Sequence, residues 1–164
     1  MEITIRRANE EDYPFILRVN EENVEVLSPM DQEKLQFFAD RAELVQVAEI
    51  DGERAAFLIG LREGDQEYGS ENYKWFSAKY PKFLYVDRIV IDEPFRSKGL
   101  GRALYEGVFE HARKDDVHVV TAEIDTIPYN EASLKFHEEM GFKEVGEQFV
   151  RDNTIKVSLQ AREV

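Results

Sequence analysis

The chain contains no cysteine, and this absence excludes several kinds of chemistry. Without a thiol there can be no disulfide framework, no thiolate metal site and no catalytic cysteine, and nothing indicates an oxidising compartment. Histidine is scarce as well, with three residues in 164. Because His111 and His118 are not part of a ligand-spaced cluster, the sequence predicts no metal site.

Positive charge is also in short supply. Lysine and arginine number 21 against 34 aspartate and glutamate residues, which gives a formal net charge of −13. Nucleic acids and anionic membrane surfaces require a sizeable basic footprint, so neither is an expected partner. A cationic or amine ligand would suit this charge, although an acidic surface that only keeps the protein soluble explains it equally well.

Long apolar runs are missing too. No stretch approaches the ~20 apolar residues that a membrane-spanning helix needs. Residues 1–7 contain no apolar leader-like run, so a cytoplasmic location is the expectation. A length of 164 residues and a hydrophobic content of 43% favour one globular domain covering residues 1–164.

The most informative segment that is present runs from Arg96 to Gly101. It separates a strand-like pattern ending near Ile91 from an amphipathic helix beginning near Leu100. The first backbone N–H groups of a helix have no intrahelical partner and lie at the positive end of its dipole, so they attract anions. Gly99 and Gly101 let the backbone approach an anion closely. Positive charge is added by Arg96, Lys98 and Arg102. The segment therefore predicts a phosphate-binding turn.

The pattern Arg-x-x-Gly-x-Gly/Ala resembles the acyl-CoA pyrophosphate loop of the GCN5-related N-acetyltransferase (GNAT) superfamily. A Walker A loop and a dinucleotide fingerprint both fit worse. A second segment, Pro128–Phe142, resembles the last part of the GNAT core, in which an Asn opens a short helix that closes in Gly-Phe. Here Asn130 is a suitable N-cap, and Gly141 can end the helix in the left-handed conformation.

The resemblance implies a single-domain α/β (α+β) fold. Its central sheet is mixed, has six to seven strands with a splayed central strand, and is flanked by about four helices. The sequence patterns predict the same order of elements. Strands are expected at 2–7, 44–50, 55–61, 83–91, 117–124, 143–150 and 154–160, and helices at 10–22, 31–41, from Leu100 and from Asn130. The polar and aromatic insert at 64–83 is too long for a simple turn.

The resemblance also implies that acetyl-CoA is the co-substrate and which residues contact the acyl-CoA. These are Ile89, Val90 and Ile91 on the central strand, Arg96, Ser97, Lys98, Gly99, Leu100, Gly101 and Arg102 in the loop, and Asn130, Ser133 and Phe136 on the last helix. Backbone groups of Ile89 and Ile91 would bind the pantetheine arm and the acetyl carbonyl.

Two residues are predicted to be catalytic by the same resemblance. Asp87, on the central strand, is the candidate for taking the amine proton, and a structural ion pair with Arg88 is the equally weighted alternative. His137 stands where many superfamily members place a tyrosine that protonates the CoA thiolate. The alternative for His137 is a core histidine, in which case Tyr129 or Tyr85 would be the substitute acid.

The aromatic residues of the insert are candidates for contact with the acceptor substrate. Tyr73 and Trp75 in the insert, together with Tyr85, are predicted to contact substrate, and the alternative is that these rings only pack the insert onto the sheet. The expected function is transfer of an acetyl group from acetyl-CoA to a primary amine of a small molecule. A non-catalytic acyl-CoA-binding module and a protein or peptide N-acetyltransferase are the alternatives. Superfamily members often form homodimers, but no segment of this sequence predicts an interface.

Overall fold

The computed structural model describes residues 1–164, which form seven β-strands and five α-helices. The strands are β1 (Ile3–Arg7), β2 (Leu44–Ile50), β3 (Glu53–Arg62), β4 (Leu84–Ile91), β5 (Val119–Ile127), β6 (Lys143–Val150) and β7 (Ile155–Glu163). The helices are α1 (Tyr13–Glu21), α2 (Gln32–Arg41), α3 (Glu71–Lys79), α4 (Leu100–Lys114) and α5 (Glu131–Glu139). None of these helices is both long and apolar enough to cross a membrane.

The seven strands form one mixed sheet in the order β1-β2-β3-β4-β5-β7-β6. Strand β4 pairs with β5 in parallel, whereas β1–β2, β2–β3, β5–β7 and β6–β7 are antiparallel. The predicted mixed sheet is confirmed. The prediction of about four helices is one short, because the insert at 64–83 contains α3. Ser70 starts this helix by accepting a hydrogen bond from the Tyr73 N–H.

The chain divides into two compact units, of which the first comprises residues 1–61 and 88–107. Its apolar core includes Ile16 of α1 and Leu35 and Phe38 of α2, all fully buried. Strands β2 and β3 are joined at Asp51 and Gly52, both with positive φ, as the sequence predicts for a two-residue hairpin.

A buried carboxylate anchors the start of this first unit. Asp12 is fully buried, and its two oxygens accept hydrogen bonds from Arg6 at 2.7 and 2.8 Å and from Arg54 at 2.7 Å. These hydrogen bonds, with that from Arg6 foremost, hold the pKa of Asp12 well below its usual range. The carboxylate thus fixes β1 and β3 to the turn that precedes α1.

The second unit comprises residues 62–87 and 108–164. Aromatic rings form the part of its core that contacts the insert. The centroid of the Tyr73 ring lies 5.6 Å from that of Phe83 and 5.7 Å from that of Tyr85. The Phe76 centroid lies 5.8 Å from that of Tyr85. Trp75 packs on β6 at Gly146, where a Cβ would lie within 2.7 Å of the indole Cη2. The absence of a side chain at 146 is therefore what lets α3 seat against the sheet.

Candidate active site

The loop between β4 and α4 belongs to the first unit and has an unusual backbone. A 3₁₀ turn at Glu93–Phe95 follows β4, and α4 begins at Leu100, whose side chain is buried. Between them Ser97 and Gly99 both adopt positive φ, at 62° and 84°. Left-handed residues in a turn let backbone N–H groups point together at one anion, and the start of α4 adds its own N–H groups.

The side chains around this loop fit a polyphosphate. Arg96, Lys98 and Arg102 are all exposed, and Arg96 Nη2 donates to Asn23 Oδ1 at 3.1 Å. A Cβ on Gly99 would meet nothing within 4 Å, so glycine is needed there for its φ rather than for space. The loop thus combines open backbone donors with three cations, which is the chemistry that binds phosphates.

Strand β4 presents different side chains on its two faces. Arg88 is buried on one face, where its guanidinium donates to Asn20 Oδ1 at 2.9 Å and to Ser28 Oγ at 3.0 Å. Ile89 and Ile91 are only half-buried and lie on the opposite face, because successive residues of a strand alternate. Arg88 therefore ties β4 to the segment between α1 and α2.

In the second unit, the parallel ladder between β4 and β5 comprises Leu84 with Val120 and Tyr85 with Thr121. Val86 and Asp87 continue β4 beyond this two-pair ladder. A strand that leaves its partner has backbone N–H and C=O groups available for a ligand. This short ladder agrees with the predicted splayed central strand.

A carboxylate on β5 is the centre of the polar cluster in this unit. Glu123 is partly buried, and Tyr85 donates its phenolic proton to it, lying 2.7 Å from Oε1 and 2.9 Å from Oε2. Asn72 of α3 donates from Nδ2 to the same Oε1 at 3.0 Å. Oε1 thus accepts hydrogen bonds from two different elements, strand β4 and the insert helix α3.

The environment of Glu123 favours its neutral form. Burial, and to a lesser extent the nearby Asp87 carboxylate, raise its pKa to about 8 against the opposing effect of the hydrogen bonds from Tyr85 and Asn72. Asp87 itself accepts a hydrogen bond from the Tyr68 hydroxyl of the insert. A carboxyl group with a pKa near the working pH can both accept and release a proton, as a general base must.

Sequence reasoning missed Glu123 and its partner Asn72. The signal was present, because Glu123 is the one charged residue within the apolar run from Val117 to Ile124, and a charge in a buried strand needs a partner or a function. Asp87 on β4 carries the same signal. What no pattern shows is that the insert turns Asn72 toward β5.

Helix α5 carries the remaining predicted residues of the site. Asn130 caps it by accepting a hydrogen bond from the Ser133 N–H at 3.3 Å, and Gly141 closes it with a φ of 89°, as predicted. His137 is 4% exposed, and its Nδ1 lies 2.8 Å from the Ser133 carbonyl oxygen. Since a carbonyl only accepts, Nδ1 carries the proton. Burial lowers the pKa of His137, so the neutral ring is favoured.

Phe136 and the rings predicted to contact substrate have definite packing. Phe136 lies 5.5 Å from the His137 ring. Tyr73 is 2% exposed and donates from its hydroxyl to the Arg62 carbonyl at 2.6 Å, and Tyr85 is fully buried. Trp75 remains partly exposed on α3. Substrate contact by these residues stays a prediction.

Comparisons with known proteins identify the family and the fold. The profile of the Acetyltransferase (GNAT) family matches residues 4–142. No curated protein matches the chain in sequence. Solved structures that share the fold include Ard1 from Thermoplasma volcanium, with a TM-score of 0.80 and 17% identity over 100% of this chain and 99% of that one.

Two further solved structures have the same fold. The NatC complex, solved with a Gag peptide and CoA, matches with a TM-score of 0.77 and 16% identity over 100% of this chain and 99% of that one. The ribosomal-protein-S18-alanine N-acetyltransferase from Escherichia coli matches with a TM-score of 0.70 and 19% identity, over 99% and 94% of the two chains. Identities this low establish the fold alone. The family match over residues 4–142 goes further: the chain belongs to the GNAT family of acetyltransferases.

Proposed function

We propose that this protein transfers an acetyl group from acetyl-CoA to a primary amine of a small molecule, with Glu123 as the general base. The observation that carries the proposal is the Glu123 carboxyl group, whose pKa of about 8 lies near the working pH and whose Oε1 is held by Tyr85 and Asn72. A structural carboxylate would instead be paired with a cation, as Asp12 is with Arg6 and Arg54.

We propose that the first unit binds the pyrophosphate and the pantetheine arm of acetyl-CoA. The loop from Arg96 to Arg102 would hold the pyrophosphate through its backbone N–H groups and its three cations. The backbone of β4 from Ile89 to Ile91 would bind the pantetheine arm and the acetyl carbonyl. A backbone N–H aimed at that carbonyl stabilises the oxyanion formed when the amine attacks. For the second unit, contact of CoA with Asn130, Ser133 and Phe136 of α5 stays a prediction.

The reaction is a direct transfer. The neutral amine nitrogen attacks the thioester carbonyl carbon, a C–N bond forms, and collapse of the tetrahedral intermediate breaks the C–S bond. Glu123 accepts the proton that the nitrogen loses, and the departing CoA thiolate takes a proton from His137 or from solvent. Glu123 then releases its proton to solvent, so that one proton in total moves from nitrogen to sulfur. An alkylamine has a pKa of ~10.4, so a base must help it to react near neutral pH. The products are the amide and free CoA.

Asp87 and His137 retain proposed roles in this scheme. Asp87 would raise the basicity of Glu123 through its negative charge and attract a cationic amine. His137 is proposed to protonate the thiolate from Nε2; because burial favours the neutral ring with its proton on Nδ1, Nε2 must first take up a proton from solvent. His137→Asn tests this role, because asparagine can still donate to the Ser133 carbonyl but has no group in place of Nε2. An unchanged kcat would remove His137 from the chemistry.

The insert supports a small acceptor. Helix α3 packs on β6 through Trp75 and places Asn72 on Glu123, so the Glu123 side of β5 is covered by the protein's own chain. A peptide would need an open groove beside the base. Acetylation of a peptide or protein amine is therefore the second candidate, and a non-catalytic acyl-CoA-binding module is the third.

The test is a screen of CoA thiol release from acetyl-CoA at pH 8.5. The acceptors are primary alkylamines, diamines and amino acids in one set and short peptides in the other. We expect turnover in the first set, and products heavier by one acetyl group in mass spectra. Turnover with peptides alone would contradict the small-molecule proposal. Saturable binding of acetyl-CoA with no turnover in either set would support the binding module.

A further inference from the structure

The insert helix contributes an amide that contacts Glu123 and has a fixed orientation. Asn72 donates from Nδ2 to Glu123 Oε1 at 3.0 Å and accepts at Oδ1 from Gln148 Nε2 at 2.7 Å. Gln148 lies on β6, where it is paired in register with Val157 of β7. The contacts therefore form a chain from β6 through α3 to the carboxylate on β5.

The chemistry of amides gives this chain a direction. A side-chain amide has one end that only donates and one end that only accepts, apart from weak effects. Because Gln148 presents its NH₂ to Asn72, the Asn72 oxygen must face Gln148, and its NH₂ must then face Glu123. A donor directed at a carboxylate favours the ionised form, whereas an acceptor there would favour the protonated form.

We infer that Asn72 is a positioning residue for Glu123, and that Gln148 sets the orientation of the Asn72 amide. Asn72 holds Oε1, which leaves Oε2, contacted by Tyr85 at 2.9 Å, as the oxygen on which an incoming proton is placed. This inference rests on the proposed function for the catalytic meaning of Glu123. The hydrogen-bond chain itself stands on the geometry alone.

Other polar groups around Glu123 also influence its pKa. On β4, Tyr85 donates to Glu123 and Asp87 acts on it through its charge. On β5 itself, Asp125 lies on the same face two residues on and is partly buried. None of these is altered by a substitution at 72 or 148, so a difference between variants reports the amide chain.

The first measurement is the titration of Glu123 by carboxyl ¹³C NMR in the protein without substrates. Asn72→Ala removes the donor, and we expect the midpoint to rise by about one pH unit. Lys74→Ala, an exposed change on the same helix, is the matched control and should leave the midpoint in place. An unmoved midpoint in Asn72→Ala would overturn the inference.

The second measurement separates orientation from charge. In Gln148→Glu an ionised acceptor replaces the donor, so the Asn72 amide should reverse and the Glu123 midpoint should rise as in Asn72→Ala. Gln148→Ala leaves Asn72 able to donate and should have a small effect. In the Asn72→Ala background, Gln148→Glu should add little. A rise of equal size in both backgrounds would show that the new charge acts directly and would overturn the role of Gln148.

The third measurement is the pH profile of kcat/KM for wild type and Asn72→Ala, which separates a failure of the amide chain from a failure of the proposed function. With a working acceptor, the ascending limb of the kcat/KM profile should move to higher pH in Asn72→Ala by the same amount as the NMR midpoint. If the NMR midpoint moves and the limb does not, Glu123 is not the base, and the catalytic part of the inference fails with it. If no acceptor is turned over, the proposed function fails, while the NMR titration still decides the amide chain.

Discussion

Replacing Glu123 by glutamine should make the stability of the protein less dependent on pH. Glutamine is nearly isosteric and fits the same contacts: its oxygen can accept from Asn72 and Tyr85 at the position of Oε1, and its NH₂ can donate to the Tyr85 oxygen. The variant therefore removes the titration of residue 123 without removing the hydrogen bonds. The difference between the two proteins isolates one group.

The sign follows from the raised pKa of Glu123. A carboxyl group with a folded-state pKa of about 8 and an unfolded value near 4.5 is protonated in both states below pH 4.5. As the pH rises to about 8, the unfolded chain loses this proton while the folded protein keeps it, so unfolding becomes more favourable. The wild type thus loses stability over this interval, whereas the glutamine variant has no such loss.

The magnitude follows from the same numbers. One pKa unit corresponds to ~1.4 kcal/mol, so the shift from 4.5 to about 8 corresponds to at most ~5 kcal/mol. Because Glu123 keeps some contact with solvent, water and ions screen part of this, and we expect about 3 kcal/mol between pH 5 and pH 9.

The assay is urea unfolding of wild type and Glu123→Gln at intervals from pH 5 to pH 9. The free energies of unfolding should be similar at pH 5, and the variant should be the more stable protein at pH 9. Glu25→Gln, an exposed change, is the control and should follow the wild type. If the curves of wild type and Glu123→Gln run parallel across the whole range, Glu123 is not held in a raised-pKa environment, and the reasoning fails.

Three further substitutions test other parts of the structure. Gly99→Ala should weaken acetyl-CoA binding about tenfold, measured by calorimetry, because alanine disfavours the φ of 84° at this position. Gly107→Ala in α4, where a Cβ also has open space, should leave binding unchanged, and equal affinities of Gly99→Ala and wild type would show that binding does not need the left-handed turn. Asp12→Asn should lower the free energy of unfolding by about 3 kcal/mol at pH 7. Because the pKa of Asp12 is lowered, that gap should shrink as the pH falls below about 4, and a gap that does not change with pH would contradict the assignment. Gly146→Ala should lower the free energy of unfolding by about 1–3 kcal/mol, measured with urea, because the new Cβ overlaps the Trp75 indole. Adding Trp75→Leu should restore part of this loss, and an unchanged free energy of unfolding in Gly146→Ala alone would contradict the packing.

Local patterns were sufficient for most of the fold. Periodicity and turn residues identify all seven strands, and the Asp51-Gly52 hairpin and the Asn130 cap follow from conformational preferences of single residues. The loop at Arg96–Gly101 was also visible, because a glycine turn before a helix is a local feature. These elements depend on neighbours within a few residues along the chain.

The carboxylate cluster could not be predicted in the same way. Glu123 meets Asn72 across 51 positions of sequence, and Asn72 meets Gln148 across 76. The insert helix has a weakly amphipathic sequence, and its position depends on the missing side chain of Gly146, which only the packed structure shows. The sequence instead directed attention to Asp87, which lies beside the cluster and contacts Tyr68.

The pH dependence of kcat/KM for acetyl transfer to the best small amine, measured for wild type and Glu123→Gln, tests directly whether Glu123 is the general base. The wild-type rate should rise with pH along a limb centred near pH 8, and Glu123→Gln should be at least ~100-fold slower and lack this limb. A limb that persists unchanged in Glu123→Gln would show that another group takes the proton and would exclude Glu123 as the base.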